Sequence, residues 1–208
     1  MSDGQDMSNL YDWESSYRAG TDLPWDCGKP ADELVEYFQG LGEAKPRSVL
    51  EIGCGTGTNA VWMAGQGCCV TATEIAPTAL KMAAERAERA GVRVDLRQSY
   101  VGEALPVDAG SHDFAFDRGV YHVIPAAQRA FFVANLAAAL ETGAYWLSLA
   151  GCKDEHRDDP QVGPPQLSAV ELLQHIEPLF EVIKLERSKF IIETGRTYLA
   201  WKALYRKR

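Results

Sequence analysis

The sequence predicts an α/β fold with a seven-stranded, mostly parallel sheet, an antiparallel last strand and helices on both faces. Three observations carry this. From about residue 47 onward, short apolar strand patterns alternate with helical ones, the wiring of parallel sheets with crossover helices. The first strand pattern runs directly into a glycine array, Gly53-Cys54-Gly55-Thr56-Gly57, and then into a helix-forming stretch. The last two strand patterns, 180–187 and 197–205, have no helix between them, so they should pair antiparallel at an edge. Strand, glycine turn and helix in that order make the fold Rossmann-like.

The elements follow in chain order. Strands are expected at 47–52, 69–74, 92–98, 113–117 and 144–150, ahead of the final pair. Helices are expected at 59–65, 77–90, 128–140 and 167–176. The second of these is the best delimited: Pro77 suits a first helical turn, Gly91 suits a C-terminal stop, and Leu80, Ala83, Ala84 and Ala87 would line one face. Ser168 can cap the last helix, and Asp32 can cap a helix over 33–41. Residues 1–44 read as an aromatic-rich N-terminal helical lid and 45–208 as the main domain, the two forming one structural unit.

Composition narrows the class. The chain has 208 residues, 46% hydrophobic and 24% charged, with a net charge of −8. An acidic balance disfavours nucleic acid, which needs clustered Lys and Arg. No apolar run reaches the ~18 residues of a membrane helix, and the first nine residues lack a signal-peptide core, so a cytoplasmic location is expected. The five cysteines lack paired zinc spacing and read as reduced, mostly buried thiols. The run Asp154-Glu155-His156 reads as part of a solvated flap over 152–166, not a metal site.

The glycine array is compatible with two cofactors. A dinucleotide site usually shows G-x-G-x-x-G; here the sixth position is Thr58 and the third glycine comes one residue early. Glu51, two residues before Gly53, would repel a pyrophosphate but suits a ligand with an ammonium group. Glu74, closing the second strand, can accept hydrogen bonds from ribose hydroxyls. Together these favour S-adenosylmethionine.

The stretch Val49 to Gly57, Thr73-Glu74-Ile75, and Leu105-Pro106 followed by Asp113-Phe114 resemble the class I S-adenosylmethionine-dependent methyltransferases over residues 47–206. The resemblance implies that Glu51, Gly53, Cys54, Gly55 and Gly57 hold the methionine moiety, Glu74 the ribose, and Ile75 the adenine. Where the family often has Gly-Asp-Ala after strand three, this chain has Ser99 and Tyr100, which become the adenine candidates with Glu103.

The opening Trp13, Tyr17, Gly20 and Pro24-Trp25-Asp26, with Gly28 and Pro30, is similar to that of the thiol, halide, thiopurine and tellurite methyltransferases. That similarity implies a lid over cofactor and acceptor with Trp25 near the sulfonium; Tyr17 and Trp25 are the candidates to contact the acceptor. Aromatic faces attract a sulfonium cation, which fits both. After strand four, Asp117-Arg118-Gly119-Val120-Tyr121-His122 supplies the remaining candidates. Asp117 can orient the acceptor or neighbour the sulfonium. Arg118 and Tyr121 can contact the acceptor, and His122 is the candidate general base. The expected reaction is methyl transfer to a small-molecule nucleophile, preferably a thiol or related soft anion. The alternatives are O- or N-methylation of a small metabolite, or binding of S-adenosylmethionine without turnover.

Overall fold

The computed structural model describes residues 11–20, 23–159 and 162–208. Its elements run α1 (Trp13–Ala19), α2 (Asp32–Leu41), β1 (Ser48–Ile52), α3 (Thr58–Gly65), β2 (Cys69–Glu74), α4 (Pro77–Ala90), β3 (Asp95–Gln98), β4 (His112–Arg118), α5 (Ala126–Ala139), β5 (Leu140–Gly151), α6 (Ala169–Leu173), β6 (Phe180–Ile191) and β7 (Thr197–Lys207). A 3-10 turn, Tyr121–Val123, separates β4 from α5. The sheet order is β3-β2-β1-β4-β5-β7-β6. The first five strands pair in parallel, and β7 wedges antiparallel between β5 and β6.

Strand periodicity sorts the core onto two faces. In β1, Val49 points to one side and Leu50 to the other; in β4, Phe114 and Phe116 oppose Ala115. One face packs Leu34 and Phe38 of α2 and Met63 of α3; the other packs Phe132 and Leu136 of α5 with Trp146, Phe180 and Tyr205. Each such fully buried side chain contributes roughly 1.5–3 kcal/mol relative to exposure.

Strand order reverses between β1 and β4. Their chains leave the sheet in opposite directions there, so a crevice opens at the carboxyl ends of the strands. The antiparallel β7 starts at this same edge, because Ala200 pairs with Gly151 at the end of β5 and Thr197 pairs with Ile191 at the end of β6. The β6–β7 hairpin therefore becomes a wall of the crevice.

The extension is fastened from several directions. α4 has no side-chain cap of its own. Glu14 of α1 supplies one: its carboxylate accepts from Thr78 N at 3.0 Å and from Thr78 Oγ1 at 2.7 Å. An acid at a helix N-terminus also complements the helix dipole. Tyr17 packs on Ala76 and Ala79.

Several boundaries differ from expectation. Asp32 is not a cap; Ala31 holds that position without a side-chain bond and Asp32 lies inside the first turn. The buried face of α4 is Ala79, Ala83 and Ala87, with Leu80 half-buried and Ala84 exposed. β3 begins at Asp95, so Val92 and Val94 precede the ladder. β5 begins at Leu140 directly after α5, with no breaker between them. Ser168 does cap α6, within a reciprocal capping box with Glu171. The five cysteines carry free thiols; Cys54, Cys68 and Cys152 are buried, Cys27 half-buried and Cys69 exposed. No helix among the described residues is long and apolar enough to cross a membrane.

Candidate active site

A cavity of about 1000 Å³ fills the crevice. That is at the upper end of the ~300–1,000 Å³ range of small-molecule sites, enough for a cofactor and an acceptor together. Tyr17, Trp25, Gly53, Cys54, Gly55, Glu74, Ile75, Ser99, Tyr100, Arg118 and His122 all line it. The topology thus gathers most of the sequence candidates at one place.

The glycine turn forms one end. Gly53, Gly55 and Gly57 all have positive φ, which L side chains resist. Space forbids a side chain as well. A Cβ on Gly53 would lie 2.2 Å from Val120 Cγ2, and one on Gly55 would lie 2.8 Å from the Tyr17 hydroxyl. The turn is pressed between the loop after β4 and the N-terminal extension. Gly57 is the N-cap of α3 and lies behind the lining, a correction to its expected cofactor contact.

Glu74 braces this turn. Its Oε2 accepts from Gly55 N at 2.9 Å, and its Oε1 accepts from Ile75 N at 2.8 Å and Ala76 N at 3.1 Å. Burial raises its pKa, and these amides oppose that shift. One lone-pair position on Oε2 stays open for a ribose hydroxyl.

Glu51 is 2% exposed and sits just beneath the lining. Its Oε1 accepts from Asn59 Nδ2 at 3.2 Å, while Oε2 has no hydrogen-bond partner. Burial pushes its carboxyl up to about 8. A buried carboxylate with one unpaired oxygen is poised for a cation. Asn59, which the sequence reading overlooked, also accepts from Ala31 N at 2.9 Å and so ties the extension to Glu51.

Asp26 was missed as well. It accepts from Gly28 N, Thr56 Oγ1, Thr58 Oγ1 and Arg86 Nη2. This pins the segment carrying Trp25 onto the glycine turn. Trp25 donates from Nε1 to the Tyr17 hydroxyl at 3.0 Å and packs edge-on against Trp13 at 5.2 Å. The proximity of Asp26 to Trp25 in sequence was the available signal.

Two catalytic candidates are corrected. Asp117 is fully buried and lies outside the lining. Its Oδ1 accepts from Val120 N at 3.2 Å and Tyr121 N at 3.1 Å, and its Oδ2 from Trp146 Nε1 at 2.9 Å. It shapes the loop after β4 and touches no ligand space. Tyr121 is also fully buried behind the lining, edge-on to Trp146 at 5.9 Å.

His122 reaches the cavity, but not as a base. Gly151 N donates to His122 Nδ1 at 2.7 Å. The neutral ring then carries its proton on Nε2 and can only donate from there. Burial drives its pKa down to about 3, and the nearby guanidiniums of Arg129, Arg157 and Arg118 add to the shift. The imidazole is thus a fixed hydrogen-bond donor at neutral pH. The pH profile of turnover between about pH 5.5 and 8 should therefore show no limb from this ring. His122→Gln is expected to keep the profile's shape while lowering its height. An acidic limb that disappears in the variant would restore the base role.

Arg118 donates to Trp25 O at 3.3 Å and Ile191 O at 3.0 Å, and its guanidinium lies 5.1 Å from the Phe190 ring centre. It joins the extension to the β6–β7 hairpin. Within the segment expected as a solvated flap, His156 and Asp158 are exposed while other described residues are anchored. Arg157 donates to Glu155, Val162 O and Pro164 O and lies over the Tyr198 ring, while Asp154 pairs with Arg187.

Residues 49–143 match the family model of a methyltransferase domain. These residues carry a methyltransferase domain, and the chain is an S-adenosylmethionine-dependent methyltransferase. Among curated proteins, the methyltransferase is 27% identical to 2-heptyl-1-hydroxyquinolin-4(1H)-one methyltransferase of Mycobacteroides abscessus over 183 residues, 84% of this chain and 78% of the relative. It is 34% identical over 96 residues to ubiquinone biosynthesis O-methyltransferase of Xanthomonas axonopodis pv. citri, covering 43% of this chain and 40% of that enzyme. A solved structure described for the conversion of a disulfide bond into a thioacetal group during echinomycin biosynthesis has a TM-score of 0.79 at 22% identity, covering 93% and 89% of the two chains. TehB from Haemophilus influenzae has a TM-score of 0.69 at 18% identity, covering 86% and 62%. At such identities the structural likeness establishes the fold.

The methyltransferase's cofactor is S-adenosylmethionine, and the residues present fit it. The orphaned Glu51 Oε2 suits an ammonium group, and the glycine cradle leaves no room for side chains.

Proposed function

We propose that this methyltransferase acts on a small-molecule nucleophile that is already ionised when it reacts, a thiolate or a comparably acidic hydroxyl. Bound S-adenosylmethionine supplies an electrophilic methyl group on a cationic sulfonium. The chain's own residues hold, align and dehydrate the reactants. Glu51 and the Gly53–Gly57 turn hold the methionine end, Glu74 the ribose, and Ile75, Ser99 and Tyr100 the adenine. Trp25 and Tyr17 act as a lid, pinned by Asp26 and excluding water.

The observation that carries the reading is His122. It is the one histidine in the cavity lining, and Gly151 N occupies the nitrogen that would accept a proton. Asp117 is turned away from the site. An acceptor served by this site does best if it needs no base. Thiols meet that condition because roughly a few per cent of a free thiol is already thiolate at pH 7, and that fraction is strongly nucleophilic. A second reading, O-methylation of an acidic ring hydroxyl, is supported by the relative that acts on a 1-hydroxyquinolinone.

Calorimetry with S-adenosylmethionine and S-adenosylhomocysteine tests the cofactor site. A panel of thiols, halides, phenols and amines, scored by cofactor consumption, tests the acceptor. Turnover is expected with thiols and acidic phenols, with rates that follow the ionised fraction. Turnover confined to amines or aliphatic alcohols would refute the reading.

A further inference from the structure

The acceptor end of the cavity holds a cation that the mechanism above does not use. Arg129 on α5 is only 8% exposed, yet it lines the cavity. Its Nε donates to Ile124 O at 3.0 Å. Its two Nη groups have no protein hydrogen-bond partner among the described residues, and no carboxylate lies within ion-pair distance of it. Its guanidinium carbon lies 5.9 Å from the Tyr121 ring centre, and Glu171 feels its charge only from beyond ion-pair distance, with its own carboxylate engaged by Ser168. Arg118 is likewise without an ion-pair partner among the described residues; it spends two donors on Trp25 O and Ile191 O. His122 Nε2–H faces the same space.

A buried guanidinium with no directly paired counter-charge is costly. In a chain with a net charge of −8, acids to pair with it are plentiful elsewhere. The pair of Nη groups is a planar fork that matches the two oxygens of a carboxylate. The same cavity lining includes the apolar and aromatic Phe132, Ile124, Phe190 and Tyr198. We infer that Arg129, with Arg118 lining the same cavity, forms an oxyanion-binding subsite, and that the acceptor is an apolar or aromatic compound carrying a carboxylate or similar planar oxyanion. The carboxylate anchors the acceptor, and the nucleophilic atom lies elsewhere on it.

This rests on the methyltransferase reading for the identity of the ligand, but its test is separate. Protein saturated with S-adenosylhomocysteine is titrated calorimetrically with benzoate and with benzamide, which share shape and differ in charge. Benzoate is expected to bind about tenfold or more tightly. Arg129→Gln is expected to abolish that preference while leaving S-adenosylhomocysteine affinity within about twofold, and Arg129→Lys to restore part of it. In turnover, 3-mercaptobenzoate should show a lower KM than 3-mercaptobenzamide, and the variant should lose that difference.

Equal binding of benzoate and benzamide to the wild-type protein overturns the inference, with no variant needed. So does an Arg129→Gln protein that loses cofactor affinity and keeps the benzoate preference, since the guanidinium then serves the cofactor's own carboxylate. If 3-mercaptobenzamide turns over as well as the acid, the methyltransferase reading stands and the oxyanion subsite falls. Failure of S-adenosylhomocysteine to bind at all would strike the earlier reading, while benzoate binding to the cofactor-free protein would still report on Arg129.

Discussion

Glu51→Gln should lower S-adenosylmethionine affinity on the order of 10²-fold, and it should abolish a proton release that accompanies binding in the wild-type protein. Both follow from one geometry. The carboxyl is buried with Oε2 unpaired, and its pKa in the free protein is about 8. Near neutral pH the free protein therefore holds this group protonated. An ammonium placed against it favours the ionised form, so the proton leaves as the ligand arrives. The wild-type protein should release close to one proton per cofactor at about pH 7. A charged hydrogen bond contributes roughly 1.5–3 kcal/mol, which sets the size of the affinity loss. Gln keeps the shape and can still meet Asn59, so the fold should survive.

Calorimetry in two buffers of different ionisation enthalpy measures the proton directly. No difference between buffers for the wild-type protein would refute the prediction. Stability gives a second readout. The ordinary value of this carboxyl is 4.5 and its folded value is higher. The unfolded chain thus loses the proton first, and the cofactor-free fold loses stability as pH rises from about 4.5 to 8. The Glu51→Gln variant should lack that component of the slope.

Glu51 also shows how far the sequence could be read. Its place after an apolar strand and before a glycine array pointed to an ammonium group, and the structure shows it buried with Oε2 unpartnered. Its protonation state was not readable, because that depends on Asn59 and on burial. The same division holds elsewhere. α4 and β2 were legible to the residue because Pro77, Gly91 and the β-branched run punctuate them locally. β3 was drawn too long because Val92 and Val94 alternate like a strand but have no partner to pair with. His122 was misread because Gly151, far away in sequence, supplies the N–H that fixes its tautomer. Arg129 was invisible: within a helical stretch it reads as a surface charge, and only the packing of α5 under the β4 loop turns it inward. Phe190 and Tyr198 entered the site only because β7 pairs antiparallel with both β5 and β6. Local punctuation and strand–helix order wrote the fold and the glycine-turn end of the cavity, whereas long-range pairing wrote the end walled by Phe190 and Tyr198.

That coupling between the two ends can itself be measured at Gly53. Gly53→Ala should lower the melting temperature by about 6–15 °C and weaken cofactor binding. The residue has φ +65, a conformation that costs a non-glycine residue roughly 1–2 kcal/mol. In addition, its new Cβ would meet Val120 Cγ2 at 2.2 Å, and overpacking of that kind costs typically ~1–3 kcal/mol. The sum, about 2–5 kcal/mol, corresponds to that fall at roughly 3 °C per kcal/mol in a chain of this size. The two contributions are separable. Val120→Ala removes the colliding methyl but cannot change the backbone requirement. The double variant should therefore recover the steric part and remain destabilised by the backbone part. Val120 N is held by Asp117, and Arg118 and His122 flank Val120 in the same loop. Displacing Val120 must then move the acceptor wall, so the single variant should lose acceptor discrimination along with cofactor affinity, and the double variant should regain both. Thermal melts and S-adenosylhomocysteine titrations on the four proteins of the cycle decide this. Strict additivity of Gly53→Ala and Val120→Ala would mean that the turn and the loop after β4 do not press on one another.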